Sequence, residues 1–241
     1  MLSQECNSVF SSVILDSFVM ASSTVCFTFF LELLSIFTVF EILQKPSGQR
    51  LYRTAVWYNI LNNLIIGPPT YILASTLFCN IEQVSFVKST ITCGQLVLSH
   101  AIGYYFAHVL MHLKPFYWTH KFHHKFNTYI IPSAANAVSL AEYAIAYMLP
   151  FILGCYIFHP DGHSLFYAVS IVSTNNLLIH TPGLESISNI LPPILVSTAN
   201  HFDHHRKLTT NYAAPTISID YLLKFAKYYR NKYWYNINSM T

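Results

Sequence analysis

Five long apolar stretches set the strongest limit on how this chain can fold. They cover residues 13–43, 55–79, 91–113, 143–158 and 165–180. A helix needs about twenty mainly apolar residues to cross a bilayer, and the first three stretches reach that length. Charged residues make up only 10% of the 241 residues, whereas a typical soluble domain has roughly a quarter. The sequence therefore predicts an all-α integral membrane protein with four or five membrane-embedded helices.

Basic residues predict the orientation of these helices. Twelve of the thirteen Lys and Arg residues form three groups, which follow the first, third and last apolar stretches. The groups are Lys45, Arg50 and Arg53; Lys114, Lys121 and Lys125; and Arg206, Lys207, Lys224, Lys227, Arg230 and Lys232. Because cytosolic loops collect Lys and Arg, all three groups are predicted to face the cytosol, with the N-terminus on the other side. The first stretch has neither a basic region before it nor a small-residue cleavage site, so we expect a retained span. The two shorter stretches are expected to form a shallow hairpin that turns at residues 159–163.

Histidine is concentrated in three short clusters. Eight of the twelve histidines lie in one HxxxH motif and two HxxHH motifs: His108 and His112; His120, His123 and His124; and His201, His204 and His205. Neutral imidazole is a good ligand for zinc, copper, iron and nickel near neutral pH. Residues three and four apart share a helix face, so each cluster is expected to direct its imidazoles to one side. Eight donors exceed the four that close a structural zinc site, which favours two metal ions.

Other uses of these residues fit the chain less well. A lone histidine on an apolar helix is commonly a packed residue, but three motifs at ligand spacing are not expected from packing alone. Nucleic-acid binding calls for Lys and Arg, and a zinc-buffering tract is usually contiguous and polar. The chain also lacks the repeated halves found in many transporters. The cysteines show no CxxC spacing and are expected to be reduced thiols packed in helices. They are Cys6, Cys26, Cys79, Cys93 and Cys155.

The order of the histidine motifs resembles that of the fatty acid hydroxylase/sterol desaturase superfamily. HxxxH, HxxHH, a single histidine and HxxHH follow one another over roughly residues 95–225. His180, in IHTPG, resembles the isolated histidine of that family. Asn211 and Tyr212, followed by Asp220, resemble the motif after its last box. The resemblance implies a helical fold with a cytosolic cap that carries a His-rich di-iron site.

Smaller features point to branches within that superfamily. Ser139 with Glu142, and LGC followed by His159 and Pro160, are similar to cholesterol 25-hydroxylases. Asp203, in HFDHH, stands where C-5 sterol desaturases have their aspartate. The first similarity favours hydroxylation of a sterol C–H bond. A sterol or fatty-acyl desaturase, a C-4 methylsterol oxidase-like enzyme and a non-catalytic lipid- or metal-binding relative remain as alternatives.

The resemblance also implies cofactors, partners and a location. Two irons would be held by nine histidines, namely His108, His112, His120, His123, His124, His180, His201, His204 and His205. O2 would be the co-substrate, and electrons would come from NAD(P)H through a cytosolic-facing carrier such as cytochrome b5, because the chain has no Rossmann or flavin motif of its own. The substrate would be a sterol or fatty-acyl lipid, and no nucleic acid is expected to bind. The protein would be a multi-pass protein of the endoplasmic reticulum membrane, with its histidine boxes facing the cytosol.

Several residues are expected to support the ligands or to stand apart from them. A metal-bound histidine usually donates its second ring N–H to an acceptor, and the candidates are Glu142, Asp203, Asn211 and Asp220. Alternatively, the acidic residues Glu142, Asp203 and Asp220 lie at the surface or cap helices. His100 is expected to be a packed helix residue, whereas His159 and His163 fall at the turn far from the boxes. Residues 1–90 are expected to form an N-terminal membrane hairpin region and residues 91–225 the catalytic domain. Residues 226–241 would form a basic-aromatic tail that lies on an anionic membrane surface or docks the electron donor.

Overall fold

The computed structural model describes residues 2–80, 84–127 and 129–238, with side chains described within residues 11–230. In these ranges the chain is mainly helical and has no β-strand, although two isolated bridges occur. The α-helices are α1 (Leu2–Leu34), α2 (Ile36–Leu43), α3 (Pro46–Ile60), α4 (Gly67–Phe78), α5 (Phe86–Met111), α6 (Tyr117–His120), α7 (Leu140–Glu142), α8 (Leu149–Phe158), α9 (Gly162–Leu178), α10 (Thr198–Lys207) and α11 (Ile219–Asn238). Two π-helical segments, Leu61–Ile66 and Tyr143–Met148, join α3 to α4 and α7 to α8.

All five apolar stretches are helical, as the sequence predicts. The first contains α1 and α2, which are separated at Ser35, and the second contains the end of α3, a π-segment and α4. Two helical segments, Ser11–Leu34 and Leu140–Phe158, are long and apolar enough to cross a membrane. Helix α9 has 17 residues, which is short of the roughly twenty needed for a full crossing. The number of four or five membrane-embedded helices therefore stays a prediction.

The first π-segment ties the N-terminal helices to the rest of the chain. Pro68 and Pro69 lie in the first turn of α4, and because proline has no N–H they cannot complete the α-helical bonds of that turn. The N–H of Gly67 instead donates to the carbonyl of Asn62, five residues earlier. The side chain of Asn62 then donates to the backbone carbonyls of Asn136 and Val138, at 2.9 and 3.1 Å. The N-terminal hairpin is thus anchored to the segment that follows the second histidine box.

Helix α5 packs closely against α8 and α9 and carries the first histidine box at its C-terminal end. A Cβ at Gly103 would lie 2.8 Å from the Cβ of Pro150, so only glycine permits this approach of α5 to α8. At the opposite end of α5, the hairpin between α8 and α9 turns as predicted. Asp161 caps α9 by accepting hydrogen bonds from the backbone N–H groups of His163 and Ser164, each at 3.1 Å.

The cysteines are free thiols in the described side chains. These are Cys26, Cys79, Cys93 and Cys155. This agrees with the predicted absence of a disulfide framework. Cys6 lies outside the described side chains, as does the part of the predicted tail after residue 230.

Candidate metal centre

All nine predicted ligands meet at one end of the helical bundle. His108 lies in the last turn of α5, and His112 is the C-cap residue of that helix. His180 lies just beyond the end of α9. Helix α10 carries the third box, and eight of the nine side chains are buried. The second box does not lie on one helix: His120 ends α6, and His123 and His124 begin a separate 3-10 turn. Both turns contact histidines on other elements: the ring of His120 lies against that of His108, and the ring of His123 against that of His205.

The histidines divide into two groups that do not follow the motif boundaries. The first group contains His108, His112, His120, His124 and His204. The second contains His123, His180, His201 and His205. Within each group, one ligand atom from every residue lies within 4.8 Å of all the others. The expectation that each HxxHH cluster directs its imidazoles to one side is therefore wrong. On α10, His201 and His205 differ by about 40° around the helix, whereas His204 and His205 differ by about 100° and serve different groups.

In the first group the Nε2 atoms are close neighbours. His108 Nε2 lies 2.9 Å from His120 Nε2, and His120 Nε2 lies 2.8 Å from His124 Nε2. His112 Nε2 lies 3.3 Å from His108 Nε2 and 3.2 Å from His124 Nε2. A metal–nitrogen bond of about 2.1 Å places two ligands at right angles about 3.0 Å apart. The observed spacings therefore fit adjacent ligands of one metal ion.

The other ring nitrogens show which tautomers are present. His108 Nδ1 lies 2.7 Å from the carbonyl oxygen of Tyr212, and His204 Nδ1 lies 2.8 Å from that of Thr210. A carbonyl oxygen only accepts, so these Nδ1 atoms carry the proton and each Nε2 presents a lone pair. His120 Nδ1 lies 2.6 Å from Glu142 Oε1, which is likewise placed to accept. With Glu142 as the acceptor, the short contact between His108 and His120 brings two lone pairs together, an arrangement that a cation between them would stabilise.

In the second group the Nε2 atoms are also close together, and a hydrogen bond fixes the tautomer of one of its four rings, His180. His180 Nδ1 donates to the carbonyl oxygen of Asn176 at 2.7 Å, which leaves its Nε2 as an acceptor. His201 Nε2 lies 3.0 Å from His180 Nε2 and 3.1 Å from His205 Nε2, and His123 Nε2 lies 3.5 Å from His180 Nε2. The two groups adjoin, because the ring centroids of His124 and His205 are 4.8 Å apart. The donors present fit two neighbouring ions of the type that imidazole prefers.

Burial keeps these imidazoles neutral. Desolvation, followed by the neighbouring His204 and His112, lowers the pKa of His124 to about 3. Desolvation, followed by His201, lowers the pKa of His205 well below its ordinary value. The lone pairs are therefore free of protons at neutral pH and can bind a metal ion. His204 Nε2 is buried and has no hydrogen-bond partner among the described residues, as expected of a ligand atom.

Of the four residues expected to support the ligands, Glu142 alone contacts a histidine nitrogen in the described chain. Its backbone N–H donates to Ser139 Oγ at 3.1 Å, which holds the carboxyl group in place at the start of the second π-segment. Asp203 instead accepts from Asn211 at 3.1 Å and pairs with Lys207 at 2.7 Å. Asp220 accepts from the backbone N–H of the residue after Tyr212, at 2.7 Å. Asp203, Asn211 and Asp220 therefore shape the loop after α10 rather than touch the imidazoles.

Four acceptors for the histidines were missing from the sequence prediction. They are the backbone carbonyls of Asn176, Thr210 and Tyr212 and the side-chain oxygen of Asn127, which lies 3.1 Å from His124 Nδ1. Backbone acceptors carry no residue-type signal, so a motif search does not find them. The only sequence signal for them is their position. Asn176 lies one turn before His180, and Thr210 and Tyr212 lie in the loop directly after the last box.

The remaining histidines lie apart from the two groups. His159 and His163 are exposed at the turn between α8 and α9, as predicted. His100 is fully buried in the middle of α5, with its ring centroid 4.5 Å from that of Phe151. Its packed position also agrees with the sequence prediction.

A cavity of about 70 Å³ lies inside the helical bundle, and none of the nine histidines is among the described residues that line it. Its wall includes Asn176, whose carbonyl accepts from His180, and it extends to His100 on α5. A groove of about 640 Å³ lies on the outer surface between α1 and α9. Met20 and Thr24 border both spaces, so the cavity adjoins the outer surface beside α1.

Comparison with known proteins identifies the family. A model of the fatty acid hydroxylase family matches residues 93–224, more than half of the chain, and this range contains all nine histidines of the two groups. No curated protein and no solved structure matches the chain. The match confirms the resemblance seen in the order of the histidine motifs. The chain belongs to the fatty acid hydroxylase family.

Proposed function

We propose that this protein is a membrane oxidoreductase that uses two irons and O2 to oxidise a C–H bond of a lipid, most specifically by hydroxylating a sterol. The observation that carries the proposal is the convergence of nine histidine ligand atoms in two adjoining groups. Such donor sets suit iron among the metals that imidazole binds, and the family is one of oxidoreductases. Two bound irons would supply dioxygen activation and abstraction of hydrogen from an unactivated C–H group.

The chain's own residues prepare the site for this chemistry. The carbonyls of Tyr212, Thr210 and Asn176 fix the tautomers of three rings, so that the lone pairs of His108, His204 and His180 face inward before any ion binds. Glu142 is placed to do the same for His120, because its Oε1 lies 2.6 Å from His120 Nδ1. Because these groups are preorganised, little reorganisation is needed when a metal ion binds.

The surface and cavities support a lipid substrate taken from a membrane. Large apolar side chains of α1 point outward, and Phe30 and Leu33 are 54% and 68% exposed. A soluble monomer rarely exposes an apolar patch of this kind, whereas a helix in lipid does so. The groove between α1 and α9 would lie against the acyl chains, and its contact with the inner cavity at Met20 and Thr24 offers a lateral route toward the histidines.

Electrons would come from a separate protein on the same side as the histidines. Lys121 and Lys125 are exposed beside the second box and offer a basic surface for an acidic carrier such as cytochrome b5. The distribution of Lys and Arg supports a multi-pass arrangement with this surface in the cytosol, in the endoplasmic reticulum membrane. NAD(P)H would be the ultimate source of the electrons.

Desaturation is the main alternative, because it begins with the same hydrogen abstraction. The similarity of Ser139 and Glu142 to cholesterol 25-hydroxylases favours hydroxylation. Cells that express the chain and are supplied with ¹⁸O2 should form a lipid with one labelled oxygen atom. A new double bond without label would instead support a desaturase.

Metal analysis of the detergent-purified protein completes this test. We expect about two irons per chain. His123→Ala should lower the iron content and abolish the lipid product, whereas the matched variant His163→Ala should change neither, because His163 is exposed and distant from both groups. Unchanged iron and product in the His123 variant would refute the assignment, and an unchanged lipid profile with bound metal would favour a non-catalytic relative.

A further inference from the structure

Helix α11 leaves the body of the protein soon after it begins. Ile219 is buried, and Leu222 packs against the core cluster that contains Met111 at the end of α5. From Leu223 to Arg230 every side chain is exposed, although the helix continues to Asn238. A helix gains most of its stability by packing one face against another surface. We therefore expect a surface outside the described chain to cover α11.

Aromatic side chains form a ridge along one side of α11. Tyr221, Phe225 and Tyr229 follow one another at intervals of four residues, which places them on the same side of the helix. Their ring centroids are 6.2 Å apart in the first pair and 4.5 Å apart in the second. We call these three residues the ring face. Aromatic rings of this kind are common where a helix meets the boundary between water and acyl chains.

The basic residues lie on the opposite side of the helix. Lys227 is two residues from Phe225 and therefore about 200° around the axis from it, with Lys224 and Arg230 on its two flanks. We call these three exposed residues the basic face. Residues 221–241 contain four basic residues and no Asp or Glu. This segment thus carries a positive charge that its own side chains do not neutralise.

The start of α11 lies beside the end of a predicted membrane helix. Helix α11 contacts α5, and Leu222 and Tyr105 pack against the same core cluster. The apolar stretch of residues 91–113 ends with α5, and Lys114 follows it directly. Phe106, on the same part of α5, is exposed as expected of a side chain in lipid. Helix α11 therefore leaves the body near the predicted boundary of the membrane.

Two classes of partner have the negative charge that the basic face calls for, an acidic protein and an anionic bilayer. An acidic protein would pair with the basic face and leave the ring face in water. A bilayer covers both, because aromatic rings enter the head-group layer while the long stems of Lys and Arg bend toward the lipid phosphates. The two faces together favour the bilayer.

We propose that α11 is an interfacial helix that binds the surface of an anionic bilayer, with its ring face in the bilayer and its basic face close to the phosphates. The ligand class is an anionic phospholipid head group. The proposal involves no oxidation, so it stands or fails separately from the proposed function.

Backbone hydrogen exchange of the full-length protein tests this proposal. The protein is placed in nanodiscs of phosphatidylcholine alone and in nanodiscs that also contain about one third phosphatidylserine. The amides of residues 223–230 should exchange at least about tenfold more slowly on the anionic bilayer, because each basic residue near such a surface contributes roughly fivefold in affinity. High salt should remove most of this difference, since it screens exposed charges.

Substitutions assign the effect to the two faces. Replacing Lys224, Lys227 and Arg230 together by Gln should abolish the difference between the two bilayers. Phe225→Ser should greatly reduce it, because the central ring of the ring face is lost. Leu223→Ser is the matched control: Leu223 is 52% exposed and Phe225 49%, but Leu223 lies about 200° from Phe225, on the basic side. This control should keep the difference.

A photoreactive side chain measures the orientation of the helix. Phe225→p-benzoylphenylalanine should form abundant covalent adducts with lipid, whereas Leu223→p-benzoylphenylalanine should form few. Equal exchange of wild-type α11 on the two bilayers would overturn the proposal, as would equal lipid adducts at the two positions. An acidic partner would be shown if the soluble domain of an acidic b-type cytochrome slowed exchange in neutral nanodiscs as much as phosphatidylserine does. In that case α11 would be a protein-docking helix, and the proposal would be wrong.

Discussion

Glu142 offers the sharpest test of how the chain prepares its metal ligands. Its side chain is fully buried, and Oε1 lies 2.6 Å from His120 Nδ1. His120 Nε2 in turn lies within 2.9 Å of the Nε2 atoms of both His108 and His124. Removing the acceptor frees the tautomer of His120 and weakens the central donor of the first group. We therefore expect Glu142 substitutions to lower the affinity for iron without removing a ligand.

The magnitude follows from the type of hydrogen bond. A hydrogen bond between neutral groups contributes about 0.5–1.5 kcal/mol. Glu142→Gln keeps an oxygen that can accept from His120 Nδ1, so its loss of iron affinity should be at most about tenfold. Glu142→Leu removes the acceptor and should cost roughly tenfold to hundredfold, the usual range for residues that orient a metal-bound histidine. Competition with a calibrated chelator, using full-length protein in detergent, measures both values.

Two controls separate this role from a general effect on folding. Glu185→Gln changes an exposed carboxyl group that pairs with Arg206 at 2.9 Å, and it should leave the iron affinity unchanged. In metal-free protein, Glu142→Leu removes the unpartnered Oε2 but also leaves His120 Nδ1 without its acceptor, so the unfolding temperature is measured beside the iron affinity. Wild-type iron affinity in Glu142→Leu would refute the argument. A lower metal-free unfolding temperature with unchanged affinity would show a purely structural role.

Three further predictions address the ligands, the packing and the orientation. His204→Ala removes a donor from the first group alone, so bound iron should fall toward one per chain by elemental analysis, whereas His163→Ala should retain two; two irons in both would contradict the grouping. Gly103→Ala would place a Cβ 2.8 Å from Pro150 and should destabilise the protein by about 1–3 kcal/mol in thermal or denaturant unfolding. Gly94→Ala on the same helix meets nothing within 4 Å and should be neutral or slightly stabilising, so equal effects of the two changes would refute the packing argument. In intact microsomes a C-terminal tag should be accessible to protease and an N-terminal tag protected, and the reverse result would overturn the predicted orientation.

The helices and the members of the site could be predicted from the sequence because both leave a signal in residue type. Apolar runs long enough for helices mark all five stretches. Histidines at offsets of three and four mark eight of the nine residues in the two groups, and the resemblance to the family marks His180. How many helices cross the membrane could not be derived in the same way. A helix such as α9, with 17 residues, satisfies the pattern of a buried helix and that of a short membrane segment equally well.

Two features of the site could not be predicted from the sequence, because they depend on the path of the backbone: the break in the second box and the roles of Asp203 and Asp220. The second box was expected on one helix, yet α6 ends at His120 and a separate turn begins at His123. No glycine or proline marks this break, so contacts with the other boxes decide it rather than local propensity. The same holds for Asp203 and Asp220, which order the loop that presents the Tyr212 carbonyl instead of contacting the imidazoles.

The division into two groups gives a physical reason for the different spacing of the boxes. On α10, the pair His201 and His205 serves the second group, while His204, about 100° around the helix from His205, serves the first. The second box does the reverse, giving two donors to the first group and His123 to the second. A box that serves both groups therefore needs the extra histidine of HxxHH.

The first box has no such requirement. His108 and His112 serve one group, so a pair one turn apart is sufficient. The second group receives no comparable pair from α5, and His180 supplies a donor from the end of α9 instead. Because each HxxHH box reaches both groups, a shift of α10 or of the second box would disturb both groups at once. The fold thus holds the two sets of donors at a fixed separation, which is the condition that two metal ions acting on one substrate require.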